Sequence, residues 1–378
     1  MSIQVPFNRP YIGREEEQAL VKAAREGALG GNGPITQRLQ KRLADWLSVR
    51  KVLLTTSCST ALEMAMLLIL NPGDEVIMPS FGFVTVASAV LRAAGRPVFA
   101  DIDPDTYNLD PEAVEQAITP RTRAVLPIHY GGQACDMERL LELASSYNLC
   151  LVEDAAQGFG SRSGEQFLGT LGTMGAYSFH VTKNVVCGEG GAFLTNDEGL
   201  ASQAEILWEK GTNRAAFLRG KVERYSWFDV GGSFALSDLL AAILEVQVQK
   251  VDTIIAARRQ RWERYANALE PLAAASKIRL HRVRVPSEFN YHTFALRTLA
   301  VPQDKLISEL RLRGVEATFH FVPLHTSPYG RKHFPEQPAL PHTETVAASL
   351  VRLPLYPDLT PSDQDLVVEA LNDVFRVA

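Results

Sequence analysis

Cysteine is scarce and scattered. The four present, Cys58, Cys135, Cys150 and Cys187, form no CxxC pair and no zinc-ligand spacing, which argues against a metal knuckle and a disulfide framework. A reduced, cytoplasmic setting is the one expected. Long hydrophobic runs are missing as well. The greasiest stretch, residues 61–70, carries Glu63, and MSIQVPFNRP has no basic segment followed by an apolar one, so neither a membrane span nor a secretory leader is expected. Positive charge is not in excess: 38 basic residues stand against 43 acidic ones, a net charge of −5. With no broad field for nucleic acid or an anionic membrane, any anionic ligand must be captured locally. Repeats, low-complexity tracts and Gly/Ser linkers are absent too, so the parts of the chain are expected to pack together and not to swing on a tether.

What is present belongs to a globular protein. The 378 residues are 46% apolar and 21% charged, enough for about two or three domains with buried cores. From about Lys51 to Asn196, short apolar runs alternate with amphipathic ones: KVLLTT then ALEMAMLLIL, DEVIMPS then VTVASAVLRAAG, RPVFADI then PEAVEQAI. This is βαβ rhythm with strands that do not alternate, as in a mostly parallel sheet covered on both faces. After Asn196, long helical patterns follow, one near 198–210 and one across 236–269. Beyond about residue 275, YHTFALR and the helical stretches 304–313 and 360–377 suggest a smaller α+β unit. The expected organisation is a large α/β domain over 1–250 and a small C-terminal α+β domain over 251–378.

Three segments suggest chemistry. KVLLTT runs through Ser57-Cys58-Ser59-Thr60 into a helix, a strand-to-helix turn whose free N–H groups suit a phosphate; the same residues also suit a plain cap at Ser59 or Thr60. NLCLVEDAAQGFG is a buried strand ending in Glu153-Asp154, where open α/β sheets place their ligands, although an Asp after a strand also forms turns. In GAYSFHVTKNVVCGEGGAF, a strand over 176–179 leads to Lys183 and then to Gly188-Glu189-Gly190-Gly191. A lysine there is either a solvated side chain or a Schiff-base nucleophile with a depressed pKa. A phosphate cradle, a strand-end acid and a lysine together meet the needs of pyridoxal 5′-phosphate, which takes helix N–H groups for its phosphate, a carboxylate for its ring nitrogen and a lysine for its aldehyde.

Through SCSTALEMA, PGDEVIMPSFGFVTVASAV, VEDAAQGFGS, SFHVTKN, GEGGAF and LSDLLAAI, the chain resembles the DegT/DnrJ/EryC1/StrS family of sugar aminotransferases. The resemblance covers nearly the whole chain. It implies pyridoxal-phosphate fold type I (aspartate aminotransferase-like), a large domain with a mostly parallel mixed sheet and a smaller α+β domain. It implies Lys183 as the Schiff-base lysine and proton-transfer base, Asp154 on the pyridine nitrogen and Gln157 near the ring hydroxyl. Phe83 would stack on the ring, and Cys58, Ser59 and Ser178 would hold the phosphate. Through VPFNRPYIG, WEKGTNRAAFLRGKVERYSWFDVG and FHFVPLH, the resemblance is nearest to the branch that makes dTDP-4-amino-4,6-dideoxygalactose for enterobacterial common antigen.

The activity so implied is transfer of an amino group from an amino acid, with L-glutamate expected, to the C4 keto group of a nucleotide-linked sugar. A 3-keto sugar is the nearest alternative. A dehydratase of the same fold would carry histidine in place of Lys183, and a non-catalytic regulator would have lost Lys183 or Asp154. The basic stretch with Lys210, Arg214, Arg219 and Lys221 is a candidate clamp for the nucleotide diphosphate, and His320, with His325, Phe319 and Phe321, a candidate sugar contact. His180 lacks companions at ligand spacing, so it is assigned to packing or hydrogen bonding, and no metal is expected. A homodimer with composite sites is expected, because the segments 30–33, 210–221 and 231–238 are polar or flexible and have no evident role inside one domain core. The segment 232–238 also lacks the asparagine or basic residue that many relatives place there for the neighbour's phosphate.

Overall fold

The computed structural model describes residues 3–283 and 287–377; Met1, Ser2 and Ala378, at the ends of the expected domains, lie outside the described residues. Seven strands form the main sheet: β1 (Lys51–Thr55), β2 (Glu75–Pro79), β3 (Arg96–Ala100), β4 (Thr122–Val125), β5 (Cys150–Asp154), β6 (Met174–Ser178) and β7 (Gly191–Thr195). Their order is β1-β7-β6-β5-β4-β2-β3. All neighbours are parallel except β7, which runs antiparallel to both β1 and β6. The sheet is therefore mixed by a single strand, and the carboxyl ends of β1 to β6 share one edge. Both faces are covered, by apolar clusters on either side that include Met64, Val90 and Phe193 on one and Leu39, Tyr177 and Leu244 on the other. That two-sided burial explains why the strands read as unbroken apolar runs.

A second sheet of four strands follows, in the order β8 (Ile278–Leu280), β9 (Phe294–Thr298), β11 (Leu350–Leu353), β10 (Thr318–Phe319), all antiparallel. Helices Gln303–Leu312 and Pro361–Val377 lie with it, and their shared core holds Leu306, Val351, Leu371 and Phe375. Val5, from the start of the chain, is buried in this C-terminal core and bridges Val315.

The helical pattern over 236–269 is two helices, Asp238–Gln249 and Val251–Ala274, divided at Lys250. Apolar periodicity runs on through the break, which is why the sequence reads as one element. Asp238, wholly buried, reaches across to the helix Pro34–Leu47: its carboxylate accepts from Ile35 N (3.0 Å), Thr36 N (2.9 Å) and Thr36 Oγ1 (2.6 Å). These N–H groups begin a helix whose own N-cap, Gly33, has no side chain to serve them. A Cβ on Gly33 would lie 2.2 Å from Asp238 Oδ2, so glycine keeps that approach open.

Candidate active site

The carboxyl ends of five strands, β1, β2, β4, β5 and β6, deliver side chains into one cavity of about 460 Å³. After β1, Ser57 caps the helix Cys58–Ile69, accepting from Thr60 N at 3.1 Å; the cap is Ser57, not Ser59 or Thr60. The N–H groups of Cys58 and Ser59 are left without a partner among the described residues and belong to the cavity wall. β7 passes directly behind this turn. A Cβ on Gly191 would stand 2.4 Å from Cys58 N, so the glycine lets strand and turn touch.

Asp154 ends β5 as expected, and its Oδ1 accepts from Ala156 N at 2.9 Å. Burial pushes its carboxyl above the ordinary value, against the pull of that N–H, Lys183 and His129. Lys183 follows β6, which spans 174–178, earlier than the expected 176–179. Burial holds its amine below the ordinary lysine value, with Asp154 and Cys58 acting in the opposite direction. A carboxyl and an amine each shifted toward the neutral form and lining one cavity are candidates for acid–base chemistry there.

The other expected residues divide into two groups. Cys58, Ser59, Phe83, Gln157, Ser178 and His320 line the same cavity as Asp154 and Lys183. Phe83 is 56% exposed there, whereas Phe81, two residues earlier, is the buried core aromatic. Gln157 Oε1 accepts from Gly131 N at 2.8 Å, which orients the amide. His320 Nδ1 meets Tyr130 Oη at 3.1 Å. His180 hydrogen-bonds Thr182 Oγ1 at 2.8 Å and faces Glu189 at 3.4 Å, and all three line the same cavity. His325 is buried elsewhere, between Ser80 Oγ (2.6 Å) and Glu344 Oε1 (3.2 Å), and Phe319 does not line the cavity.

The basic stretch lies away from the cavity of its own chain. Lys210 and Arg214 pair with buried Glu209 at 3.5 and 3.1 Å, and Arg219 with Glu205 at 2.5 Å. Asn32 also donates to Glu209, Gly31 bridges Ser237, and Asp238 caps the helix after Gly33. The three segments expected to have no role within one chain thus hold one another in place.

Among the cavity residues that escaped the sequence reading are three basic side chains, Arg258, His292 and Arg352. Arg352 left one visible sign, a charge inside the apolar strand LVRL. Arg258 sits among many charged residues of a long helix, and His292 precedes β9, so neither carries a local signal.

The donor set fits pyridoxal phosphate. Free N–H groups at Cys58 and Ser59 suit the phosphate, a buried carboxyl the ring nitrogen, an oriented amide the ring hydroxyl and a desolvated amine the aldehyde. Among the described residues no group of three or more His, Cys, Asp or Glu could hold a metal ion, and no helix is long and apolar enough to cross a membrane.

The model of the DegT/DnrJ/EryC1/StrS aminotransferase family matches residues 10–372. The spore coat polysaccharide biosynthesis protein SpsC of Bacillus subtilis (strain 168) is 32% identical over 384 residues, covering 99% of this chain and 98% of that protein. Among solved structures, the aminotransferase TlmJ from Streptoalloteichus hindustanus superposes with a TM-score of 0.91 at 30% identity, covering 99% of both chains. The Bacillus subtilis protein ntda, solved with bound cofactor PMP, superposes with a TM-score of 0.87 at 28% identity, covering 97% of this chain and 83% of that one.

Proposed function

The chain belongs to the DegT/DnrJ/EryC1/StrS aminotransferase family, and from that premise we propose that it moves an amino group from L-glutamate to the C4 keto group of a dTDP-linked 4-keto-6-deoxyhexose. The product of this reading is dTDP-4-amino-4,6-dideoxygalactose, destined for a surface polysaccharide such as O-antigen. The observation that carries it is Lys183 and Asp154 in one cavity, both held toward their neutral forms by burial. The branch is supported by the motifs FHFVPLH and WEKGTNRAAFLRGKVERYSWFDVG, and the polysaccharide destination by the likeness to a spore coat polysaccharide protein. The cofactor is pyridoxal 5′-phosphate, as in the family. Bound here, it supplies an electron sink for the charge left on the donor carbon when its proton departs.

The chain's own residues do the rest. Lys183 Nζ would hold the cofactor through its aldehyde carbon and, once displaced there by the donor amine, would accept the donor carbon's proton and return it. Asp154 holds a proton at the pyridine nitrogen. Phe83 supplies a face for the flat ring, Gln157 a hydrogen bond to its hydroxyl, and Cys58, Ser59 and Ser178 the phosphate seat. The reading keeps the division into 1–250 and 251–378, supported by the helix break at Lys250 and a C-terminal core that Val5 alone joins from the first 250 residues. It takes the working unit as a homodimer in the cytoplasm, with Lys210, Arg214 and Arg219 serving the neighbour's nucleotide.

The test is a panel of nucleotide-linked 3- and 4-keto sugars offered to the purified holoenzyme with L-glutamate. Turnover confined to 3-keto sugars would overturn the C4 assignment, and turnover with a different amino acid would replace the donor.

A further inference from the structure

The residues that lead into β9, 290–293, are tied down at almost every polar group. Asn290 N donates to Ser161 Oγ at 3.0 Å, and its Nδ2 to the carbonyls of Gln157 and Phe159 at 2.8 and 2.9 Å. Buried Arg258 donates to the carbonyls of Tyr291 and His292, and Trp262 Nε1 to that of Thr293. Between these ties Tyr291 stands at a φ of 54°, a left-handed backbone that bulky residues seldom adopt. A segment held this firmly, in a strained form, presents His292 to the cavity.

The lysine loop grips the same segment. Asn184, next to Lys183 in the chain, donates from Nδ2 to Asn290 O at 2.7 Å, which turns its Oδ1 toward His292 Nδ1 at 3.0 Å. An amide oxygen only accepts, so Nδ1 carries the ring proton and Nε2 is a bare acceptor. Nε2 has no hydrogen-bond partner among the described residues. Burial, with the charges of Lys183, Arg258 and Arg352, pushes the pKa of His292 well below the ordinary value, so the ring stays neutral. His320 differs: it meets the Tyr130 hydroxyl, which can donate or accept, so nothing fixes its tautomer. Asp154 and Cys58, which favour the charged form of Lys183, are occupied in the proposed function by the ring nitrogen and the phosphate. His292 Nε2 is the neutral acceptor that remains beside the amine.

We propose that His292 is the positioning residue for Lys183: its Nε2 accepts an N–H of the lysine amine whenever that amine is free of the cofactor, and so aims the nitrogen lone pair at the donor carbon. A carboxylate in that place would favour the ammonium form, which can take no proton, whereas a neutral imidazole holds the amine with its lone pair available. This rests on aminotransfer at the Lys183 cavity and adds to it the group that holds the lysine once the donor has displaced it.

The experiment separates the two ring nitrogens, because an Asn amide reaches the place of Nδ1 and a Gln amide that of Nε2. His292→Asn keeps the contact with Asn184 and loses the acceptor, and His292→Gln does the reverse. In the cofactor-free protein, trace acetylation of Lys183 against pH, read by peptide mass spectrometry, gives the pH at which the amine loses its proton. That midpoint should fall by about 0.5–1 in His292→Asn, the effect of one neutral hydrogen bond, and return to within about 0.3 of the parent in His292→Gln. In the holoenzyme, with no sugar present, the rate at which saturating L-glutamate changes the visible absorbance should fall about 10- to 100-fold in His292→Asn, with half-saturation within about twofold, and recover in His292→Gln. His292→Phe, which fills the site with neither nitrogen, should show both losses and stands in if His292→Asn does not fold. Losses in His292→Gln but not in His292→Asn would make the Asn184 contact the one that matters and overturn the proposal, as would a midpoint unmoved in every variant. A defect confined to the sugar half of the reaction assigns His292 to the sugar and overturns it too. A parent whose absorbance answers no amino acid overturns the aminotransfer reading, while the acetylation midpoint still decides the His292 contact.

Discussion

Lys183 is a buried amine whose charged form is disfavoured by its surroundings, and this makes its protonation visible in stability as well as in chemistry. In the cofactor-free protein the unfolded chain binds the lysine proton more tightly than the folded one. The penalty is fully present below the folded pKa and disappears as pH rises toward the ordinary value of 10.5. Lys183→Met should accordingly stabilise the cofactor-free protein at pH 7, with the gain fading as pH rises toward 10.5; urea midpoints from pH 7 upward measure it. The same variant should lose the visible absorbance of the holoenzyme and about a thousandfold or more of its turnover. Full turnover in Lys183→Met would remove Lys183 from its role. Asp154→Asn keeps the shape and the hydrogen bond from Ala156 N but removes the carboxyl that, in the proposed function, becomes the counter-charge of the protonated ring nitrogen. Turnover is expected to fall by about 10²–10³-fold, with a smaller loss in cofactor retention, and comparing single-turnover rates with cofactor dissociation separates the two. Equal losses would make Asp154 a holding residue only.

Among the elements, the strand ends matter most, and they were the most legible. KVLLTT, NLCLVED and GAYSF each end at or next to a residue that reaches the cavity, Ser57, Asp154 and Ser178, because a strand buried on both faces must be apolar until the point where it meets the ligand. Two things were not legible. The direction of β7 was hidden, since GAFLT reads alike in either sense. Arg258, His292 and Arg352 reach the cavity from three separate segments, and only tertiary packing brings them together. The segments 30–33 and 231–238 looked idle for the same reason: what occupies them is each other. Two substitutions test these contacts. Gly191→Ala should displace the Ser57–Cys58 turn, because the new Cβ falls 2.4 Å from Cys58 N. Cofactor affinity should drop on the order of 10- to 100-fold with the fold intact, and a fluorescence titration with pyridoxal phosphate checks it. Asp238→Ala leaves two N–H groups and a hydroxyl without their acceptor, at a cost of about 3 kcal/mol in the urea unfolding free energy. Unchanged stability there would show that water satisfies the helix end.

At the scale of the whole molecule, one face remains apolar and exposed. Trp227, Phe228 and Val230 are 76%, 64% and 78% exposed, on the same loop that follows Arg219. Such a patch on a monomer invites a second copy. Sedimentation of the parent is expected at about twice 41.6 kDa, and the double variant Trp227→Ser, Phe228→Ser should move toward the single-chain mass. A parent that sediments as one chain would end the composite-site proposal.

The late place of β7 in the chain also governs when the cavity at Lys183 can form. Within the sheet β1 pairs with β7 alone, Lys51 opposite Thr195 and Thr55 opposite Gly191. On the ribosome the first strand must therefore wait, unpaired, until some 140 further residues have emerged, an interval of about 7–28 seconds at ordinary elongation rates. The turn at Cys58 and the amine at Lys183 become neighbours in the same event, and Arg352 joins them only after most of the remaining chain has been made. A nascent chain stalled before residue 195 holds every residue of the phosphate turn and has no strand against which to set it.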